Sequence, residues 1–350
     1  MSQPNAVANP TCAKQPVEMR PMRDDIRSVH QESGDTPSLT PVDGEVEMTA
    51  PQPTRMVWNP LLGEYGAQAP GRMRRNEGTN ACPFCADLTT GRVPPDTQAW
   101  IRPNDFPAFH PPTGECFVLI YSSNHDCAFT ELSVADIVRV IGLWQQVYTD
   151  LASRYACVMT WETSGAATGQ TQFHPHGQTY AVSIIPDMIQ REMQLILQAE
   201  AKGRGCPFCE LLHEEEAGPR IVFDGAHWLG YVPPFARYPY QAQLTSRTHL
   251  NAINGFPLDG EAAAELASAL LYVIRAYNAV FEAPMPYMLA IHQLADERFH
   301  LHIDLLPLGR APGKLKLAAS SEMAWGFWLN DSLPEAKAAE LRAAIAKERQ

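Results

Sequence analysis

The sequence predicts an α+β protein built from two related halves, each with an antiparallel sheet and packed helices. A cysteine pair, a lone histidine and a His-x-His pair occur twice in the same order. From Cys85 to His125, and again from Cys209 to His249, the distance along the chain is 40 residues. In each copy one long helical pattern lies between short strand patterns. This combination favours sheets packed against helices, repeated once along the chain.

The composition is that of a globular protein. The 350 residues are 45% hydrophobic and 19% charged, and the formal net charge is −12. This charge argues against a broad basic surface for nucleic acid. The sequence offers no apolar stretch near the roughly 20 residues of a membrane span, and its N-terminus lacks a hydrophobic signal core. We therefore expect a cytoplasmic protein that contacts neither membrane nor nucleic acid.

The N-terminal segment differs from the rest of the chain. Residues 1–53 contain eight prolines, eight acidic and four basic residues, and no aromatic residue. Such a segment buries too little apolar surface to offset the entropy of ordering, so we expect a disordered tail. We expect a first half over residues 54–195, which holds the active site, and a second half over residues 196–350.

Periodicity predicts the main elements of each half. After Ser133, a candidate N-cap, apolar residues at helical spacing predict a helix to about Tyr155. Its counterpart is predicted over residues 260–281, with further helices over 188–202 and 334–347. Alternating or apolar runs predict seven strands. They are residues 116–121, 157–163, 178–185, 228–232, 241–245, 288–292 and 300–306.

Two Cys-Pro-Phe-Cys tetrapeptides point to metal binding. In a reducing compartment such pairs indicate metal or redox chemistry before disulfides. The alternatives are a redox dithiol, or cysteines and histidines that only pack. Zinc prefers four tetrahedral thiolate and imidazole ligands, and the repeat supplies two such sets. The predicted ligands are Cys82, Cys85, His125 and His174 in the first half, and Cys206, Cys209, His249 and His300 in the second.

Residues 165–178 join a glycine-rich loop to two histidines in an extended stretch. Glycines let backbone amides approach a phosphate, and Thr171 could add a hydroxyl donor. Alternation along a strand places His174 and His176 on the same face, so that one can hold a metal while the other faces a ligand. From spacing alone, His176 could equally be a satisfied structural histidine.

The pentapeptide His-Pro-His-Gly-Gln at residues 174–178 resembles the active-site motif of galactose-1-phosphate uridylyltransferases, a branch of the histidine-triad superfamily. The resemblance covers most of the chain from Arg55 onward. It includes the motifs at residues 59–63, 103–106, 312–316 and 333–335. It implies a histidine-triad-like fold and a transferase of galactose metabolism.

The resemblance also implies a covalent route. His176 would attack the α-phosphorus of UDP-glucose, displace glucose 1-phosphate and pass UMP to galactose 1-phosphate with ping-pong kinetics. Gln178 stands where hydrolytic histidine-triad relatives carry a third histidine, and its amide can donate to a phosphoryl oxygen without activating water. His302 repeats the position of His176 but lacks the following Gly-Gln, so we expect no nucleophile there.

Ten positions match substrate contacts of the family. Those toward the uridine are Asn104 and Asp105, and those toward the phosphates are Gly169, Gln170, Thr171 and Gln178. Those toward the nucleotide sugar or its phosphates are Arg72, Arg75, Lys316 and Glu322. The family takes the last group from the other subunit, so a homodimer is expected. The alternative for Arg72 and Arg75 is an ordinary solvated charge.

The second half departs from one family pattern. Some members hold iron or zinc there with a glutamate and three histidines, and the corresponding positions are Glu192, His292, His300 and His302. One tetrahedral ion cannot take this set together with Cys206 and Cys209. We favour the cysteine set with zinc, because thiolates are the stronger zinc ligands, and keep iron as the alternative ion.

Two other functions stay open at this point. The first is an adenylyltransferase or ADP-sugar phosphorylase of the same fold. The second is a zinc-stabilised nucleotide-binding protein without turnover. Thr163 and Ser321, which replace an asparagine and a tyrosine usual in the family, leave the base and the hexose open.

Overall fold

The computed structural model describes residues 54–70, 72 and 81–348. The expected tail over residues 1–53 and the candidate Arg75 lie outside the described residues. Thirteen strands are present in the described residues: β1 Arg55–Asn59, β2 Glu64–Gln68, β3 Trp100–Pro103, β4 Gly114–Ile120, β5 Cys157–Ser164, β6 His176–Val182, β7 Ile221–Asp224, β8 Trp228–Tyr231, β9 Ala242–Ser246, β10 Tyr287–His292, β11 His302–Pro307, β12 Gly309–Ala311 and β13 Lys314–Leu315.

Seven α-helices accompany these strands in the same part of the chain. They are α1 Pro83–Thr89, α2 Val134–Leu151, α3 Asp187–Ala201, α4 Pro207–Glu215, α5 Glu261–Phe281, α6 Ser320–Trp325 and α7 Pro334–Glu348. Among the described helices, none combines the length and the hydrophobicity that a membrane span requires.

Nine strands form one continuous antiparallel sheet. Its order is β3-β4-β6-β5-β10-β11-β9-β8-β7, so β3 to β6 come from the first half and β7 to β11 from the second. The halves meet where β5 pairs with β10, with Glu162 opposite Leu289. The predicted α+β class with two related halves is confirmed. The two antiparallel sheets share their hydrogen-bonding edge and thereby cover two strand edges that separate sheets would expose.

The largest core lies between the sheet and the long helices α2 and α5. Ser133 caps α2: its Oγ accepts from the Asp136 amide at 3.1 Å, while the Asp136 carboxylate accepts from the Ser133 amide at 2.9 Å. The predicted apolar face of α2, including Ile141 and Trp144, is buried. The equivalent face of α5 is buried with it, so both long helices cover the same core.

Helices α1 and α4 begin inside the two cysteine pairs, and α3 lies between β6 and α4. A second core joins α3 to sheet residues such as Tyr180 and Val182, and a third joins Phe84 of α1 to Val118 and Ile120 of β4. The expected boundary between residues 195 and 196 falls inside α3. We propose that the second half begins after this helix.

Candidate active site

His176 opens strand β6, opposite Ile120 of β4. Its Nδ1 lies 2.7 Å from the carbonyl oxygen of His174. Because a carbonyl only accepts, Nδ1 carries the proton, and in the neutral ring Nε2 keeps its lone pair. The carbonyl of His174 thereby orients this ring. The arrangement therefore prepares Nε2 as a nucleophile.

The residue after His176 must be glycine. A Cβ on Gly177 would lie 2.1 Å from the Tyr121 hydroxyl oxygen, which leaves no space for any side chain. Tyr121 is buried below this face and accepts a 3.2 Å hydrogen bond from Trp144 of α2. Strand alternation returns the next side chain, Gln178, to the face of His176. The two predicted catalytic side chains are thus neighbours on one partly exposed face.

The first predicted metal set is assembled. Cys82, Cys85, His125 and His174 place one donor atom each within 4.8 Å of the others. The Cys85 Sγ lies 3.4 Å from His125 Nδ1 and 3.6 Å from His174 Nδ1. Zinc–sulfur and zinc–nitrogen bonds of about 2.3 and 2.1 Å at a tetrahedral angle separate the two ligand atoms by about 3.6 Å. The donor set and its spacing fit a tetrahedral ion.

Neighbouring groups prepare this set. His174 Nε2 lies 2.7 Å from the carbonyl oxygen of Ser122, so Nε2 carries the proton and Nδ1 is left for a metal. Burial lowers the pKa of His174, which keeps the ring neutral, while burial raises the pKa of the Cys85 thiol. Metal binding there releases thiol protons.

The second predicted set repeats the first. Cys206, Cys209, His249 and His300 again place their donor atoms within 4.8 Å of one another. The Cys209 Sγ lies 3.4 Å from the Nδ1 atom of both histidines. The carbonyl oxygen of Ser246 lies 2.8 Å from His300 Nε2 and accepts its proton, as the carbonyl of Ser122 does for His174. Burial lowers the pKa of His300 to about 4 and raises that of Cys209 to about 11.

The remaining residues of the glutamate and histidine pattern form their own cluster. Glu192 of α3 lies 2.9 Å from His292 Nδ1 and 3.7 Å from His302 Nε2. Burial by itself would raise the pKa of Glu192, but the two histidines hold it at about 2. His300 turns its Nδ1 toward the cysteines and away from this cluster. The structure therefore groups His300 with Cys206 and Cys209, and leaves Glu192, His292 and His302 as a separate cluster.

The glycine loop is ordered by its own side chains. Gly169 has φ 83°, a left-handed conformation that favours glycine. The Gln170 side-chain oxygen accepts from the Gly165 amide at 2.6 Å, so one of the predicted phosphate contacts instead folds back on the loop. Thr171 and Gly169 lie in the same connection between β5 and β6, directly before the His-Pro-His motif.

Arg72 contacts the face of β6 that carries His176. Its guanidinium donates a 2.8 Å hydrogen bond to the Tyr180 hydroxyl, and Tyr180 follows Gln178 on the same face of β6. Trp161 of β5 pairs with Gln178 and packs edge-on against Tyr180, with ring centroids 4.5 Å apart. Arg72 is therefore more than a solvated charge.

The other predicted contacts are held by neighbours. Asp105 accepts two hydrogen bonds from Arg102, at 2.7 and 2.8 Å, and the Asn104 side chain accepts from the Phe106 amide at 2.9 Å. Lys316 and Glu322 are nearly buried and lie 3.6 Å apart. They stand away from His176 in sequence, at the end of the second half.

Sequence reasoning missed several residues here. Tyr180 and Trp161 carry no motif, although alternation from His176 would have placed Tyr180 on the active face. Glu162 is buried below the sheet, and its Oε1 accepts a 2.6 Å hydrogen bond from the Tyr287 hydroxyl. Phe84, inside the first cysteine pair, packs on His176 with ring centroids 5.0 Å apart. The phenylalanine shared by both Cys-Pro-Phe-Cys tetrapeptides is the sequence signal that could have indicated Phe84.

The two-halved antiparallel fold, with a His-x-His strand beside each cysteine pair, defines a histidine-triad-like protein. The family model described as galactose-1-phosphate uridyl transferase, N-terminal domain, matches residues 92–186. A galactose-1-phosphate uridylyltransferase of Streptomyces lividans is 31% identical over 247 residues, 67% of this chain and 68% of the relative. One from Thermotoga maritima is 28% identical over 81% of this chain and 96% of the relative.

Solved structures agree with these matches. The chain superposes with a TM-score of 0.77 on a structure described as that of uridylyltransferase, at 25% identity, covering 84% of this chain and 99% of the other. An ADP-glucose phosphorylase from Arabidopsis thaliana shares the fold, with a TM-score of 0.65 at 17% identity. The chain belongs to the galactose-1-phosphate uridylyltransferase family.

Proposed function

We propose that this protein exchanges UMP between UDP-glucose and galactose 1-phosphate through a uridylyl group on His176. The observation that carries the proposal is the hydrogen bond from His176 Nδ1 to the His174 carbonyl, which leaves Nε2 as the nucleophilic atom. Family membership supports the substrates, since the relatives carry this activity in their names.

The chemistry takes two displacements. In the first, the Nε2 lone pair forms a bond to the α-phosphorus of UDP-glucose, while the bond from that phosphorus to the bridging oxygen breaks. Glucose 1-phosphate leaves as a stable anion, so no strong acid is needed. In the second, a phosphate oxygen of galactose 1-phosphate attacks the same phosphorus, UDP-galactose forms and the electron pair returns to Nε2.

Gln178 suits these steps because its amide donates hydrogen bonds without gaining or losing protons. On the face of His176 it is positioned to donate to a phosphoryl oxygen on which charge develops. Gly169 and Thr171 provide backbone and hydroxyl donors for the phosphates, and Asn104, Asp105 and Arg72 are proposed for the rest of the nucleotide sugar.

We propose zinc in both cysteine–histidine clusters. Two thiolates and two imidazoles at tetrahedral spacing are the set that zinc prefers, and four protein ligands leave no open position for substrate. Zinc there would stabilise the fold. For the cluster of Glu192, His292 and His302, a nitrogen and oxygen donor set suits iron or zinc alike.

We propose a homodimer in which Lys316 and Glu322 act on the partner's site. The segment around them exposes seven large apolar side chains: Leu315, Leu317, Met323, Trp325, Phe327, Leu329 and Leu333. Apolar exposure of this extent marks an interaction surface, and a second copy is the occupant that would bring Lys316 and Glu322 to a substrate.

The seven described cysteines are free of disulfides, which supports a reducing cytoplasm.

The test is transfer of label without an acceptor. The protein is incubated with UDP-glucose or ADP-glucose carrying radioactive α-phosphorus, and label that is acid-labile and base-stable is counted on the protein. Label from UDP-glucose is expected, and it should disappear in His176→Ala. His302→Ala, at the matching position of the second half, is the control and should label fully. If only ADP-glucose labels the protein, the transferred group is adenylyl and the proposal of uridylyl transfer is wrong.

A further inference from the structure

The Arg102 guanidinium lies between two carboxylates near the end of strand β3. Its Nη2 donates to both carboxylate oxygens of Asp105, at 2.7 and 2.8 Å. Its Nη1 lies 3.3 Å from an Asp87 oxygen and donates to the Pro83 carbonyl at 3.3 Å. The side chains of Arg102 and Asp87 are 6% and 2% exposed, whereas that of Asp105 is 50% exposed. Of these two carboxylates, Asp105 is therefore the one that a ligand can reach.

Contacts of Arg102 connect Asp105 to the candidate active site. The guanidinium carbon of Arg102 lies 5.8 Å from the centroid of the Phe84 ring. The Phe84 ring in turn lies 5.0 Å from the His176 ring, centroid to centroid. Asp105 is thus close enough to His176 for the nucleoside part of a bound nucleotide to reach it.

The charges around Arg102 balance one another. Asp87 forms a second ion pair, with Arg92 at 3.0 Å, and accepts a 3.2 Å hydrogen bond from the Trp100 indole. The two arginines and the two aspartates together carry no net formal charge. A carboxylate that stood alone at the position of Asp105 would repel the phosphates of a nucleotide. Pairing with Arg102 offsets this repulsion, and both oxygens of the carboxylate can still accept from a ligand.

We infer that Arg102 is a positioning residue of the nucleoside site: it fixes the orientation in which the Asp105 carboxylate accepts hydrogen bonds from a nucleoside, and it balances the charge of that carboxylate. The inference rests on the proposed function for the class of ligand, a nucleotide with its α-phosphorus at His176. Because Arg102 acts through Asp105, its contribution to nucleotide binding disappears once Asp105 is no longer a carboxylate.

The second half offers a matched control. Arg220 also lies between one buried and one partly exposed carboxylate. Its Nη2 lies 2.6 Å from Glu215, which is 0% exposed, and its Nη1 lies 2.6 Å from Glu335, which is 41% exposed. Arg220 belongs to neither the proposed nucleotide site nor a metal cluster. Arg220→Lys therefore disturbs the same type of pairing and leaves nucleotide binding unchanged.

The experiment is a double-mutant cycle on nucleotide affinity. The dissociation constant of UMP is measured by titration calorimetry for wild type, Arg102→Lys, Asp105→Asn and the double variant, with zinc content and the thermal midpoint of each. Each single substitution is expected to raise the UMP dissociation constant by about tenfold, as loss of a hydrogen bond to a charged group produces. The double variant should match Asp105→Asn, and Arg220→Lys should match wild type, both within about twofold.

Kinetics supply a readout that a purely structural role would not move. In single-turnover labelling, Arg102→Lys should raise the half-saturating concentration of UDP-glucose by about tenfold and keep the maximal rate within about threefold, because binding and not displacement is affected. The KM for galactose 1-phosphate should not change, since that substrate carries no nucleoside.

Four outcomes would overturn the inference: no binding of UMP by the wild type, an unchanged UMP dissociation constant in Arg102→Lys, equal weakening in Arg220→Lys, or additive losses in the double variant. Additive losses would mean that Arg102 contributes independently of Asp105. If Arg102→Lys does not fold, Arg102→Gln is judged by the same limits. Failure of the proposed function is distinguishable, because the wild type then takes no label from UDP-glucose while the UMP cycle can still be measured.

Discussion

At the scale of single residues, Gln178 is the proposed hydrogen-bond donor to the phosphoryl oxygen on which negative charge develops. It lies on the His176 face of β6, beside Trp161 of β5. Gln178→Leu keeps the side chain near the same size but removes the amide donor. Loss of a donor to developing negative charge lowers kcat by about 10²- to 10³-fold. Steady-state kinetics with UDP-glucose measure this, and a Gln178→Leu enzyme with unchanged kcat would contradict the role.

Glu162 is a buried acid with a consequence for stability. It lies at the junction of β5 and β10, where Tyr287 donates to it and Tyr121 is the other titratable group near it. Burial raises the pKa of Glu162 from an ordinary 4.5 to about 7. Between these two values the folded protein binds one more proton than the unfolded chain, so stability falls as pH rises through this range and levels off above pH 7.

Glu162→Gln should remove this loss. The variant is expected to gain about 2.5 kcal/mol of stability relative to wild type as the pH rises from 5 to 8. Urea unfolding at several pH values, at fixed zinc, measures the difference. A difference that does not change with pH would contradict the argument.

Residue types and spacing predicted which residues of the candidate site lie together. Both cysteine–histidine sets, His176 and Gln178 come together as predicted, because motif residues bear chemistry that a sequence displays. The missed residues, Tyr180, Glu162 and Phe84, are defined by hydrogen bonds and ring contacts to residues far away in the chain. Packing depends on which strands and helices become neighbours, and a single sequence does not display that.

At the scale of elements, the two cysteine–histidine clusters connect short helices to residues at the start of sheet strands. Helices α1 and α4 begin directly after Cys82 and Cys206 and have seven and nine residues. Helices this short are marginal without tertiary support. The proposed ligands His174, just before β6, and His300, just before β11, would provide that support in each half through a bound metal ion.

Cys82→Ser and Cys206→Ser should therefore each lose about one zinc per chain and lower the thermal midpoint. Structural zinc contributes on the order of 10 kcal/mol to folding of small domains. Metal analysis and thermal unfolding measure both effects. The zinc content of each protein should fall at lower pH, because thiols must lose protons to bind zinc. Two zinc ions retained in Cys206→Ser would contradict the second site.

The length and burial of an element explain whether the sequence predicted it. The long helices α2 and α5 have several turns of apolar periodicity and a readable start, and their predicted bounds are close to those observed. The short helices α1 and α4 have too few turns to show a period. The hairpin of β1 and β2 is mostly exposed and so lacks the alternation that marks a half-buried strand.

At the scale of the whole molecule, the joining of two halves into one sheet was not predictable. The pairing of β5 with β10 joins residues far apart in the chain, and the repeat pattern is equally compatible with two separate sheets. The class and the repeat were predictable because each half carries the full set of elements. The edge that they share is a property of the assembled fold.

The exposed segment after β13 gives the prediction for assembly. Trp325 is 84% exposed and stands three residues from Glu322. Trp325→Ser should weaken the homodimer by removing an aromatic anchor, and hot-spot aromatic residues carry about 2 kcal/mol or more of binding energy. Sedimentation velocity over a concentration series measures the shift. A wild-type protein that stays monomeric at all concentrations would contradict the dimer.

The central claim is that Nε2 of His176 carries the transferred group. It is tested most directly by treating the protein with UDP-glucose alone, digesting it under basic conditions and mapping the adduct by mass spectrometry. We expect one UMP, less the elements of water, on the peptide that contains His176, and its loss on addition of galactose 1-phosphate. An adduct on another residue, or none on the wild-type protein, would contradict it.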